Sequence, residues 1–384
     1  MSKSPDIVKL QTNPVWIDTQ GGLNQLIVKL TAEKVIAIDT ESDSLYSYFE
    51  KVCLIQFSTP QTDYLLDPLN VDISPLADLF ANPAIEKIFH AAEYDILSLK
   101  RDYNFAFVNL FDTMLAARIL GWKRYGLGSI LEEQFEVKLD KRFQRYNWGQ
   151  RPLSRQALDY ARLDTHYLLR LRNVQIKALE QQNRLREAHE AFERQTQVEP
   201  TPKVFDPDDF WRVKGCKDLL PQEQAIVREL FILRDKIARK IDRPPFKVVN
   251  DATLLRLAQI QPNSYLALKD VKGMGPNLLR YNGNDILNAI QAGQVASPPQ
   301  YHPNNNHRPD EDTLTRYESL RQWRNNLAAE RGVEPDVIMS NETLMDIARR
   351  NPQKLKTLAK LKSLGQWQAE TYGQAVIQVL RDTV

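Results

Sequence analysis

At 384 residues, with 42% hydrophobic and 26% charged, the chain is too long for one small core and too apolar for a disordered polymer. No run approaches the roughly 18–20 apolar residues of a membrane helix, and the polar start Met1-Ser2-Lys3-Ser4-Pro5-Asp6 lacks the apolar centre of a secretion signal. Two isolated cysteines, Cys53 and Cys216, argue against a disulfide framework or a structural zinc site, so a reducing, cytoplasmic setting is expected. The net charge of +2 divides into −3 over residues 1–200 and +5 over 201–384, an asymmetry too small to name a partner.

In chain order, Val35-Ile36-Ala37-Ile38 leads as a strand into Asp39, and Val52-Cys53-Leu54-Ile55-Gln56-Phe57 follows as a second, rich in β-branched and aromatic residues. Tyr64-Leu65-Leu66 is a third strand, closed by Asp67-Pro68. Leu76, Leu79 and Phe80 share a helical face. Ile85 to His90 reads as a short strand, and Asp95 to Arg101 as a helix. From Leu110 onward almost everything reads helical, including Leu158 to Leu185. Early strands with interspersed helices predict an α/β sheet covered by helices.

Glu199-Pro200-Thr201-Pro202 and Asp206-Pro207-Asp208-Asp209 break the helical pattern, and Ser297 to Asn306 is a second break rich in proline and asparagine. The flanks of that second break repeat each other at a shift of 90 residues without a gap. Leu230/Leu320, Arg234/Arg324, Pro245/Pro335, Thr253/Thr343, Gly275/Gly365 and Gly283/Gly373 are among the identical pairs. Two copies of one small all-helical domain are expected. The expected segments are 1–200, 210–294 and 310–384, with a linker over 295–309.

Four carboxylates and a tyrosine carry the chemistry. Asp39 and Glu41, at i and i+2 after an apolar strand, share one face. Taken alone, they fit a solvated strand end as well as a metal site. Tyr160 and Asp164 lie one helical turn apart. Asp95 stands where a strand passes through small residues into a helix, a place the helix dipole also favours for an acid. Four carboxylates converging in a cleft repel one another unless cations neutralise them. Hard oxygen ligands suit Mg²⁺ or Mn²⁺ rather than zinc, and a pair of such ions serves in-line displacement at a phosphodiester.

In this order, Asp-x-Glu, Asp and Tyr-x-x-x-Asp resemble the motifs of ribonuclease D, in the tyrosine branch of the DEDD 3′–5′ exonuclease superfamily. Leu110-Phe111-Asp112-Thr113 and Arg151-Pro152-Leu153-Ser154 are similar to its supporting stretches, and the two repeats resemble HRDC domains. Tyr146-Asn147-Trp148 departs from the Ser-Asp-Trp often found there. The resemblance implies a ribonuclease H-like mixed sheet flanked by helices, then two small all-α domains. It implies two divalent ions, Mg²⁺ or Mn²⁺, with Asp39 bridging both. Glu41 and Asp164 would hold the ion that activates water, Asp95 would help hold the other, and Tyr160 would orient the water. The implied activity removes nucleoside 5′-monophosphates from RNA 3′ ends, tRNA precursors by analogy. No membrane and no obligate protein partner are implied. A DNA exonuclease of the same superfamily and a catalytically silent RNA-binding protein are the alternatives.

For the nucleic acid, Lys138 to Arg155 interleaves cations with rings, as a single-strand groove requires. Lys141, Arg142, Arg145, Tyr146, Trp148 and Arg151 are its candidate contacts, although Trp148 also suits a core. Arg239 and Lys240 are candidates from a second basic run, Arg234 to Lys247, in the first repeat. His90 is expected as a packed strand-end residue, and His166 as structural.

Overall fold

A computed structural model describes residues 13–301 and 309–383. The middle of the expected linker, residues 302–308, lies outside the described residues. Six strands form one mixed sheet in the order β1-β4-β3-β2-β5-β6: β1 (Val15–Ile17), β2 (Val35–Ser42), β3 (Val52–Ser58), β4 (Asp63–Leu66), β5 (Glu86–Phe89) and β6 (Leu110–Asp112). β3 and β4 run antiparallel, whereas β1 with β4, β2 with β5, and β5 with β6 are parallel. Every residue of β3 is buried, as a strand covered on both faces must be. Leu23, Leu26 and Leu30 of the helix Gln20–Thr31 and Ile96 and Leu99 of Glu93–Tyr103 pack with Ile36, Ile38 and Phe57 in the main core.

Two strands differ from the sequence reading. β1 was not expected, and β6 lies in a stretch read as helical from Leu110. Both are three residues long, too short for a period-2 pattern to register. The stretch Leu158–Leu185, read as helical, is helical as three segments in close succession, Arg155–Ala161, Leu163–His166 and Leu168–Gln181. The last of these stops before Asn183, whose φ of 54° lies in the left-handed region.

The described residues divide into two compact units. One contains 13–41, 52–200 and 309–383, and the other 42–51 and 201–301. Each unit therefore holds one copy of the repeat, and the long helices of the second copy each begin 90 residues after their counterparts. Pro221–Lys240, Asp251–Ile260 and Pro276–Val295 are followed by Glu311–Arg331, Asn341–Arg350 and Gln366–Asp382. Equivalent bonds recur as well. Buried Arg234 donates to the Val249 carbonyl and Asp251, and buried Arg324 to the Met339 carbonyl and Asn341. Arg234 is thus a framework residue, not part of an exposed basic run.

Within the first unit the second helical copy is bound to the sheet domain. The Glu187 carboxylate accepts from Arg331 at 3.0 and 2.5 Å. Glu190 accepts the backbone N–H groups of Trp367 and Gln368 at 2.5 and 3.1 Å, in the first turn of Gln366–Asp382. Gly365 leaves room for it, since a Cβ there would lie 2.0 Å from Glu190 Oε1. Arg118 bridges Glu334 and Asp336. Among the described residues no helix is long and apolar enough to cross a membrane.

Candidate active site

The centre of the sheet supplies the first two acids. Asp39 and Glu41 flank Thr40, which is 8% exposed, near the end of β2. Thr40 donates through its backbone N–H to Asp95 Oδ1 at 3.0 Å and through its hydroxyl at 2.5 Å. The strand carrying the first pair of acids thereby holds the third. Asp95 stands in the first turn of Glu93–Tyr103 and is 5% exposed. The turn before that helix is fixed by Asp112, whose buried carboxylate accepts four backbone N–H groups, from Ala91, Ala92, Met114 and Leu115. Ala91 adopts a φ of 62°, a strained position for a residue with a Cβ, and this bond set over-determines it.

Tyr160 and Asp164 arrive from the other side. Ser154 caps the helix Arg155–Ala161 by accepting from Ala157 N at 3.2 Å. Between them, Arg162 is buried and grips Asp63 of β4 at 2.5 Å, and His166 Nδ1 lies 2.9 Å from the same carboxylate. Arg162 and His166 therefore anchor the segment while Tyr160 and Asp164 line the cleft, and His166 is structural as expected.

Carboxylate oxygens of Asp39, Glu41 and Asp164 lie within 4.8 Å of one another. They open, with His90, Leu127, Gln144 and Tyr160, onto a cleft of about 400 Å³. A neighbouring cavity of about 230 Å³ shares Leu127, Gln144, Tyr160 and Asp164 with it and adds Gly126, Ser129 and Asp140. Asp95 stands just behind, hydrogen-bonded to Thr40. Burial, then the charges of Asp95, Asp164 and Glu41, push Asp39 well above the usual carboxylate range. Burial and the charges of Asp164 and Asp95 do the same to Glu41. Burial pushes Asp95 to about 7 despite the bonds from Thr40, and burial with the Asp95 charge pushes Asp164 to about 8. Burial, followed by Asp164, Glu41 and Asp39, raises Tyr160 as well, so its phenol keeps its proton. Four acids that resist ionising together, all offering hard oxygen donors, fit divalent cations and not a soft or nitrogen-seeking metal.

The nucleic-acid candidates divide. Trp148 is 2% exposed and packs against Tyr160, with ring centroids 6.2 Å apart. Phe143 lies 5.6 Å from Tyr160, and half-buried Tyr146 lies 5.0 Å from Trp148. These rings pack behind Tyr160, and Trp148 is corrected from base contact to core: a buried ring cannot stack on a base. Arg151 is corrected too. Its five N–H donors are all used within the fold, on Asp67 twice and on the carbonyls of Trp148, Gln150 and Cys53. Arg142 is exposed and paired with Asp140 at 2.6 Å, and Arg145 is exposed. Nothing is described for the Lys141 side chain. Arg239 and Lys240 are exposed at the end of Pro221–Lys240, with the Arg239 guanidinium 5.8 Å from the Phe49 ring centre. His90, part-buried at the end of β5 as expected, also lines the cleft. Leu127 and Gln144 line it too and carry no sequence signal, since they come from a helix start and a loop.

Residues 14–179 match the 3′–5′ exonuclease family, and residues 223–290 and 313–380 each match the HRDC domain. Ribonuclease D of Pseudomonas paraeruginosa is 28% identical over 373 residues, covering 95% of this chain and 97% of that protein. The exosome complex exonuclease RRP6 of Saccharomyces cerevisiae is 33% identical over 294 residues, 72% of this chain. The chain spans only 40% of that protein's length. Among solved structures, the catalytic core of RRP6 from Trypanosoma brucei superposes with a TM-score of 0.70 at 29% identity, over 76% of this chain and 83% of that one. The chain thus carries a match to a 3′–5′ exonuclease domain followed by matches to two HRDC domains, and it is similar nearly end to end to ribonuclease D.

Proposed function

We propose that the chain shortens RNA from its 3′ end, releasing nucleoside 5′-monophosphates one at a time, with tRNA precursors among its substrates. The observation that carries this reading is the convergence of the Asp39, Glu41 and Asp164 oxygens within 4.8 Å under Tyr160 in an open cleft. Asp39, Glu41, Asp95 and Asp164 would hold two divalent cations, Mg²⁺ or Mn²⁺. Such ions, when bound, offset the charge of the phosphodiester and lower the pKa of water at the site. The residues then have separable tasks. Asp39 and Glu41, fixed on a central strand, present their carboxylates side by side. Asp95, locked by Thr40, sets the depth of the cluster. Tyr160 stays protonated and orients a nucleophilic water by hydrogen bonding, since a phenol held above its ordinary pKa is a poor base. Arg142, Arg145, Arg239 and Lys240 are proposed as phosphate contacts that lend affinity without sequence preference.

The test is incubation of the purified chain with 5′-labelled single-stranded RNA and the matching DNA, with Mg²⁺ or Mn²⁺, beside Asp39→Asn. A metal-dependent ladder of single-nucleotide steps on RNA, absent in the variant, is expected. Equal digestion of DNA would replace the ribonuclease reading with that of a DNA exonuclease. No shortening of either strand would leave an RNA-binding protein.

A further inference from the structure

Among the acids of the cleft stands one nitrogen base whose proton can be located. His90 follows β5 and lines the cleft together with Asp39, Glu41, Tyr160 and Asp164. Its Nδ1 lies 2.9 Å from Thr113 Oγ1. Thr113, fully buried at the start of the helix Thr113–Ile119, donates its hydroxyl proton to the Phe89 carbonyl at 3.0 Å. A threonine hydroxyl has one proton, and a carbonyl can only accept, so Thr113 Oγ1 must accept from the imidazole. Nδ1 therefore carries the ring proton, and Nε2 is left with its lone pair. Burial acts in the same direction, lowering His90 to about 4 and keeping the ring neutral near pH 7. Among the described residues nothing is hydrogen-bonded to Nε2.

The cleft thus offers a neutral, oriented acceptor beside its carboxylates. The sugar–phosphate end of a nucleic acid presents few groups that such an acceptor can bind. Phosphate oxygens only accept, and the sugar's donors are its hydroxyls. We propose that His90 Nε2 accepts a hydrogen bond from a hydroxyl of the 3′-terminal ribose, which makes His90 a specificity-determining residue for the terminal sugar. The proposal rests on the reading of the cleft as the exonuclease site. Thr113 is the positioning residue behind it, because it fixes which imidazole nitrogen faces the substrate.

The experiment compares kcat/KM on three RNAs that differ only at the last nucleotide: ribose, 2′-deoxyribose and 3′-deoxyribose. Wild type is expected to prefer the ribose end over one of the deoxy ends by roughly tenfold, the effect of one neutral hydrogen bond. His90→Phe, which has no acceptor, should bring that ratio close to one, and His90→Gln, which keeps a carbonyl acceptor, should retain part of it. Loss of the 2′ preference would make His90 a residue that separates RNA from DNA ends; loss of the 3′ preference would make it a reader of the free end. Each comparison is made within one preparation, so partial loss of folded protein cancels. Ratios in His90→Phe equal to those of wild type on both deoxy ends would overturn the assignment while leaving the exonuclease intact. Absence of metal-dependent shortening by wild type on all three RNAs would instead remove the exonuclease reading itself.

Discussion

The contact between Glu187 and Arg331 allows a sharp test of how the second helical copy is held. Glu187 is 5% exposed and binds Arg331 through both oxygens, and Arg331 also donates to the Tyr372 hydroxyl. Burial raises the Glu187 pKa, and Arg331 lowers it by less, so the carboxylate ends above its ordinary value. Desolvation therefore outweighs attraction on the acid's side, the situation in which an ion pair adds little over an apolar pair of similar size. Removing one member alone is different, because it strands the other charge. Glu187→Leu is expected to destabilise the chain by about 3 kcal/mol at neutral pH. In Glu187→Leu/Arg331→Met no charge is stranded, and the main deficit is the Tyr372 hydroxyl, worth about 1 kcal/mol. The double variant should therefore be more stable than the single by about 2 kcal/mol, the difference of those two figures. Urea unfolding followed by tryptophan fluorescence reads this out, since Trp323 and Trp367 pack in the second copy's core. A double variant as unstable as the sum of the two single variants would show no coupling between the two charges and refute the reasoning.

Three further outcomes are expected. Tyr160→Phe should lower kcat roughly 100-fold with little change in KM, as loss of one orienting donor does; an unchanged kcat in steady-state assays would remove Tyr160 from the mechanism. Arg151→Ala strands the fully buried Asp67 carboxylate and should cost about 3 kcal/mol or more of stability. The salt dependence of RNA binding should stay as in wild type; a flatter slope would restore Arg151 as a phosphate contact. Burial pushes the Asp63 carboxyl up, but the bonds from His166, Ser58 and Arg162 outweigh it, and the net shift is downward. The folded state then binds fewer protons than the unfolded one, so this contribution is present above about pH 4 and disappears as pH falls through the folded pKa. The stability gap between wild type and Asp63→Asn should therefore narrow on acidification. A gap independent of pH would contradict it.

What could be read from the sequence, and what could not, follows from periodicity. Asp39 and Glu41 were recognisable because a strand of period 2 places i and i+2 together. Tyr160 and Asp164 were recognisable because a helix does the same for i and i+4. The two HRDC copies showed in a gap-free shift. His90, Leu127 and Gln144 reach the cleft from a strand end, a helix start and a loop, where no repeat exists to mark them. Asp112 could have been suspected from Asp112-Thr113 as a helix start, but its four backbone bonds depend on a turn distant in sequence. The segment from Lys138 to Arg155 misled for a simpler reason. Rings alternating with cations have one composition whether they face bases or pack behind a tyrosine, and burial alone tells the two apart.

The paired arginines, Arg234 and Arg324, bear on how a duplicated domain divides its work. Each ties the first long helix to the turn before the next with the same two bonds, so the internal frame of a copy does not depend on its surface. The surfaces have gone separate ways. Arg331, Glu334 and Asp336, which hold the second copy to the sheet domain, stand where the first copy has Ile241, Pro244 and Phe246, with Ile241 50% and Phe246 53% exposed. The second copy uses this face for attachment to the sheet domain, whereas beside the same face of the first copy Asp242 accepts the backbone N–H groups of Tyr48 and Phe49 and Lys247 lies over the Tyr46 ring. The same internal frame therefore serves two different attachments, one to the sheet domain and one to the segment 42–51.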